Sequence, residues 1–198
     1  MPIPIDHRAQ TYGLPECLWI PIAVTDETAV EKYVGRTEVI SGRTPNKAFL
    51  VTYHGAIAPP DMDLGIWKVS GAEVLQASNQ VWVHIDYTGY RRAYERHMPK
   101  RDIGDYVIDH VVNRRFSRLL GYKYVRLLPI SRAANTSSGS GPEKESVKTQ
   151  QGVYGPPHRC EAEACYADPS DISKMLNLKT GHPVGSKKSS EAGMAAMW

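Results

Sequence analysis

The sequence predicts an α+β domain in which a small mixed sheet packs with several helices. Short apolar runs alternate with segments of helical spacing, and glycine or proline separates most of them. The clearest strand is QVWVHIDY, residues 80–87. Its Val81, Val83 and Ile85 share one face while the other face is mixed, so we expect both faces to be at least partly covered.

The other helices and strands are predicted from the same spacing of apolar residues and from residues that typically begin or end helices. Thr25 is a candidate cap for a helix with acids in its first turn, and Gly35 would end that helix. Gly121 is a candidate C-cap for the helix before it. Further strands are predicted at 17–24, 48–53, 105–112 and 122–130, and helices at 25–34, 88–98, 113–120, 131–135 and 168–178.

Four portions of the chain differ in composition. Residues 1–80 form an N-terminal α/β portion of the same domain or an appendage, and residues 81–150 form a basic core. Within that core, residues 136–146 are polar and rich in glycine and serine, which predicts a loop. Residues 151–180 form a C-terminal extension with a short helix, and residues 181–198 are predicted to be a flexible tail.

Positive charge is concentrated in one stretch. The net charge is only +3, but residues 91–132 contain eleven lysines and arginines against four acids, a local +7. Such clustering favours a polyanionic partner, because bound cations release the counterions condensed on phosphates. The alternative is a solvated helix face whose compensating acids are brought in by the fold.

Composition also bears on compartment. The longest apolar runs are too short to span a bilayer, so no membrane partner is expected. The opening MPIPIDHRAQ lacks a basic stretch followed by an apolar run, and three cysteines do not make a disulfide framework. We expect a cytoplasmic protein, or one exported by a dedicated secretion machine without a signal peptide.

One segment, residues 108–145, orders its polar residues in a familiar way. Asp109 and His110 end a predicted strand, an apolar strand with LLP at 127–129 returns, and a short helical turn carries Asn135 ahead of Ser-Gly at 138–139. In this order the segment resembles the HNH nucleases, the ββα-metal family. The resemblance covers about a fifth of the chain.

The resemblance implies an HNH-like ββα-metal core and metal-dependent hydrolysis of nucleic-acid phosphodiesters. His110 would be the general base, since a neutral imidazole accepts a proton near pH 7. Asp109 and Asn135 would offer hard oxygen ligands to one Mg²⁺ or Mn²⁺. We expect DNA ahead of RNA as the substrate, and an inhibitor or immunity protein as partner if the nuclease is a toxin. Neighbouring strand residues face opposite sides, so Asp109 and His110 can share a site only at a strand end or bend.

Arginines near this segment are candidates for holding the nucleic-acid backbone as charge-assisted forks. They are Arg91, Arg92, Arg114, Arg115, Arg118 and Arg132. A non-catalytic nucleic-acid-binding or assembly module using the same basic surface is the alternative function.

A weaker pattern lies further on. His158, Cys160 and Cys165 resemble part of a zinc site, but three ligands fall short of the usual closed set of four. Cys17 could complete the set through space. Ordinary surface or half-buried cysteines are the expected interpretation, and zinc is not expected.

Overall fold

The computed structural model describes residues 20–55, 61–63, 68–70, 72–100, 105–140, 163–167 and 169–177. Nine strands and five helices lie in these ranges. In chain order they are β1 (Pro21–Val24), α1 (Glu27–Tyr33), β2 (Gly35–Arg43), β3 (Asn46–Tyr53), β4 (Asp61–Asp63), β5 (Lys68–Ser70), a 3-10 turn (Ala72–Val74), β6 (Asn79–His84), α2 (Tyr90–His97), β7 (Tyr106–His110), α3 (Arg114–Leu120), β8 (Tyr124–Ser131), α4 (Arg132–Ser140), β9 (Ala164–Tyr166) and α5 (Pro169–Met175).

Seven strands form one sheet in the order β2-β3-β6-β8-β1-β9, and β7 also pairs with β8. Strand β8 is central, since β6 pairs along one edge while β1 and β7 pair with successive parts of the other. Its residues are buried from Tyr124 to Ile130, as its apolar sequence predicts. The small hairpin of β4 and β5 is separate.

The predicted α+β class is confirmed, but the predicted mixed sheet is wrong. Every pairing among the described strands is antiparallel. Helix α3 has only seven residues, so it joins neighbouring antiparallel strands instead of forming the long crossover that parallel strands need.

Two clusters of buried side chains lie on opposite faces of the sheet. On one face, Ala29 and Val30 of α1 pack with Trp82. On the other face, α2 to α5 contribute to a larger cluster that includes Val81 and Val83 of β6. The alternation along β6 therefore covers both faces, as predicted.

Helix ends agree with their sequence signals at some positions and differ at others. Asp26, not Thr25, caps α1, because its carboxylate accepts a hydrogen bond from the backbone N–H of Ala29 at 2.9 Å. Gly121 takes a left-handed conformation with φ of 81° after α3, as predicted. Helix α4 extends to Ser140, so residues 136–140 are helical where a loop was predicted, and the rest of that predicted loop lies outside the described residues.

None of the helices in the described part of the chain is long and apolar enough to span a bilayer. The predicted flexible tail, residues 181–198, lies outside the described residues.

Candidate functional site

A cleft of about 330 Å³ opens where β7 ends, between α3 and α5. Four of its lining side chains are cationic and one is a carboxylate, so the cleft is suited to an anion. The lining residues are Asp109, His110, Asn113, Arg114, Arg115, Arg118 and Lys174.

Asn113 fixes the direction in which α3 leaves the strand end. It is the N-cap of α3, and its side-chain oxygen accepts a hydrogen bond from the backbone N–H of Arg115 at 2.7 Å. Because β7 ends at His110 and α3 begins at Arg114, only three residues separate the strand end from the arginines. The sequence thus places Arg114 and Arg115 beside His110.

Asp109 and His110 both reach this cleft because they lie at the end of β7. The two side chains are 28% and 4% exposed, and Oδ1 of Asp109 lies 3.9 Å from Nδ1 of His110. That separation is too long for a hydrogen bond but short enough for strong electrostatic interaction. The structure therefore brings the predicted pair together at a strand end.

Lys174 completes this arrangement, and it was not among the predicted site residues. It lies on α5, only 2% of it is exposed, and its Nζ is 3.2 Å from Oδ2 of Asp109. The same Nζ donates a hydrogen bond to the backbone oxygen of His110 at 3.0 Å. One buried ammonium thus joins both residues of the strand end.

The charges of this group follow from its surroundings. Burial raises the pKa of Asp109, but the imidazole of His110 and the ammonium of Lys174 outweigh burial and hold this pKa at about 2. Burial lowers the pKa of His110, and the neighbouring carboxylate only partly opposes that effect. At neutral pH the site therefore holds an ionised Asp109 and a neutral His110.

One ring nitrogen of His110, Nε2, is buried and has no hydrogen-bond partner among the described residues. The ring of Tyr90 lies over the imidazole, with centroids 4.7 Å apart and planes tilted by 54°. Buried polar atoms are rarely left unpaired, so an unpaired nitrogen on a residue that lines a cleft points to a ligand.

The described residues do not fit the predicted metal site. The carboxylate of Asp109 is already engaged by the ammonium of Lys174, and Asn135, on α4, is not among the residues that line the cleft. No group of three His, Cys, Asp or Glu side chains that could hold an ion occurs within the described ranges. We therefore derive no chemical step through a metal.

The predicted arginines divide into two groups. Arg114, Arg115 and Arg118 line the cleft, and the last of these pairs with Asp86 at its edge. Neither Arg114 nor Arg115 forms an ion pair with a residue that the structure describes. These two exposed guanidinium groups are therefore available to an anion.

The remaining arginines lie elsewhere. Arg132 pairs with Asp105 at 2.7 Å and does not line the cleft. Arg91 lies over the ring of Tyr90 at 5.7 Å. Arg92 lines a second hollow of about 350 Å³ beside α2.

Of the candidate zinc ligands, only Cys165 lies within the described residues. Cys165 is buried on β9 and is not in a disulfide. His158, Cys160 and Cys17 lie outside the described residues.

No protein-family model, no curated protein and no solved structure matches the chain. What the cleft does must therefore be inferred from its own chemistry.

Proposed function

We propose that the protein binds nucleic acid in this cleft and cleaves its phosphodiester backbone, with His110 as the general base. The observation that carries the proposal is the neutral, buried imidazole, whose Nε2 has no described partner, in a cleft that is also lined by Arg114 and Arg115, which form no ion pair with a described residue. An HNH-like core remains a proposal, supported by the order β7, β8, α4 and by the Asp109–His110 pair at the end of β7.

Binding would rest on charge and fork geometry. Guanidinium groups donate paired hydrogen bonds to phosphate oxygens, so Arg114 and Arg115 would hold the backbone across the mouth of the cleft. The buried ammonium of Lys174 adds positive potential beneath them, where water screens it less. A phosphodiester anion matches that field.

Catalysis would rest on His110. A base acts best when it is neutral at the working pH and can reach the proton that it removes. Asp109 would be a positioning residue, since its carboxylate lies beside Nδ1 and favours a proton there, which leaves Nε2 as the acceptor. Lys174 fixes the carboxylate in turn.

The test is cleavage of plasmid DNA and of RNA by the purified protein, each with Mg²⁺ and with a chelator. The two metal arms also test the metal dependence that the HNH resemblance implies. We expect His110→Gln to lower the cleavage rate by about 10²-fold or more, the usual contribution of a general base. His54→Gln is the matched control, because His54 is exposed and does not line the cleft. Absence of cleavage in every arm, or equal activity of the two variants, would count against the proposal.

A binding module that does not cleave is the second candidate. It is favoured by the burial of His110, because a base must reach a substrate proton and Tyr90 covers this ring. This candidate predicts salt-sensitive binding by the wild type, no cleavage, and no change in affinity for His110→Gln. Fluorescence anisotropy with a labelled oligonucleotide measures that affinity.

A further inference from the structure

We propose that the substrate is RNA and that cleavage is an internal transesterification that needs no divalent metal. This inference rests on the proposed function and specifies its substrate and reaction. It reverses the expectation of DNA drawn from the sequence.

Lys174 lies against the carboxylate of Asp109. A metal-dependent site would need the Asp109 carboxylate as a ligand, but that carboxylate lies 3.2 Å from a buried ammonium. The ammonium also donates to the backbone oxygen of His110, and its neighbours Ile172 and Met175 on α5 belong to the hydrophobic core. Packing and hydrogen bonding therefore hold the Lys174 ammonium beside the carboxylate that the predicted metal site would use.

RNA and DNA differ in the nucleophile that they offer for cleavage of the backbone. Water is a very weak acid, and enzymes that use it against phosphodiesters commonly lower its pKa with a metal ion. RNA carries its own nucleophile, the 2′-hydroxyl next to the scissile phosphate, which covalent structure already holds close to phosphorus. An imidazole base can act on that hydroxyl directly, whereas DNA lacks it.

In the proposed reaction, Nε2 of His110 takes the proton of the 2′-hydroxyl, the 2′-oxygen forms a bond to phosphorus, and the bond from phosphorus to the 5′-oxygen breaks. The 5′-oxygen takes a proton from water at the open side of the cleft. The products are a 2′,3′-cyclic phosphate and a 5′-hydroxyl end, and His110 returns its proton to solvent.

The cations of the cleft suit this reaction. Negative charge on the phosphoryl oxygens increases as the fifth bond to phosphorus forms, and fixed donors stabilise that charge without reorganising. Arg114 and Arg115 would supply those donors at the mouth of the cleft, as an alternative to a metal ion.

The experiment uses the wild-type protein in excess EDTA and three oligonucleotides of one sequence. The first is all RNA, the second replaces the residue 5′ to the main cleavage site by its 2′-deoxy form, and the third is all DNA. We expect cleavage of the first, loss of cleavage at that linkage in the second, and no cleavage of the third. Mass spectrometry should find 2′,3′-cyclic phosphate ends.

Two outcomes would overturn the inference, and they can be told apart. Cleavage of the DNA, or of the deoxy linkage, only when Mg²⁺ is present would leave the proposed function standing and would refute metal-independent transesterification. Cleavage of none of the three in EDTA or in Mg²⁺ would remove the proposed function as well. Lys174→Met in excess EDTA serves as a second check, because DNA lacks the 2′-hydroxyl and should stay uncleaved whatever group lies beside Asp109.

Discussion

Replacing Lys174 with methionine removes the ammonium that neutralises Asp109 and keeps an unbranched side chain of similar length in the core. The carboxylate of Asp109 then stays largely buried without its nearest cation. We expect the pKa of Asp109 to rise from about 2 toward its ordinary value of 3.8, because burial continues to disfavour the ionised form and only His110 then still lowers the pKa.

The size of the effect on stability follows from the same pKa. Each pKa unit is worth about 1.4 kcal/mol, so the fall from 3.8 to about 2 represents about 2.5 kcal/mol of stabilisation at neutral pH, to which His110 and Lys174 both contribute. Breaking a fully buried ion pair by removing one partner costs about 3–5 kcal/mol, and Asp109 is 28% exposed. Since Lys174 supplies only part of the shift, we expect Lys174→Met to lower the free energy of unfolding by about 1–3 kcal/mol at pH 7.

The pH dependence gives a second measurement of the same pair. The pKa of Asp109 is depressed in the folded state, so its stabilising contribution is complete above pH 3.8 and is lost as the pH falls to about 2. Urea denaturation across this range should show a larger loss of stability in the wild type than in Lys174→Met. Carbon-detected NMR of Asp109 measures the pKa itself.

The matched control is Lys123→Met, which makes the same chemical change at an exposed lysine away from the cleft. It should leave the pKa of Asp109 and the stability nearly unchanged. An Asp109 pKa near 4 in the wild type, or equal effects of the two substitutions, would refute the assigned role of Lys174.

Three further predictions concern charge and backbone. Because burial lowers the pKa of His110 in the folded state, stability should fall as the pH drops below about 6.5; in urea denaturation His110→Asn should show a smaller decline, since His84, whose pKa burial also lowers, is still present. An identical decline would contradict the assignment. Arg114→Ala should reduce the slope of log affinity against log salt by about 0.9 on double-stranded nucleic acid, whereas Arg132→Ala, whose guanidinium pairs with Asp105, should not. If the two variants gave equal slopes, the nucleic-acid backbone would bind away from Arg114. Gly121→Ala should destabilise by about 1 kcal/mol in thermal denaturation, since φ is 81° although an added Cβ meets no atom within 4 Å; no change in melting would contradict that strain.

Local signals predicted much of the fold. The runs that became β6 and β8 combine β-branched with aromatic residues, namely Val81, Trp82 and Val83 in β6 and Tyr124, Val125 and Ile130 in β8. The C-cap Gly121 was predicted, and Asn113, predicted as the first residue of this helix, is its N-cap. Such features depend on neighbours in sequence, so the sequence alone predicts them.

Features that depend on distant parts of the chain were missed. Strand β2, GRTEVISGR, has no clean alternation, because it is an edge strand stabilised by its hairpin partner β3. The antiparallel order around β8 depends on which distant strands pair with it. Neither the pairing of β2 with β3 nor the strand order around β8 can be predicted from a local sequence pattern.

The candidate site also combines residues that sequence order predicts with residues that only the tertiary structure brings together. The strand end that unites Asp109 with His110, and the nearby Arg114, follow from sequence order alone. Lys174 is 64 residues beyond His110 and carries no local sign of its role, beyond lying on α5 close to Ile172 and Met175 of its buried face. Asn135 was grouped with the pair by order along the chain, but Asp109 lies opposite Leu128, and α4 begins only after the far end of β8.

The most direct test of the cleft is an NMR titration of the isotope-labelled protein with a fully 2′-O-methylated RNA oligonucleotide, which binds but cannot undergo internal cleavage. We predict that the Nε2 resonance of His110 and the guanidinium resonance of Arg114 shift together and saturate at one oligonucleotide concentration. Shifts confined to Arg92 and the hollow beside α2, with His110 unperturbed, would contradict a nucleic-acid site at the end of β7.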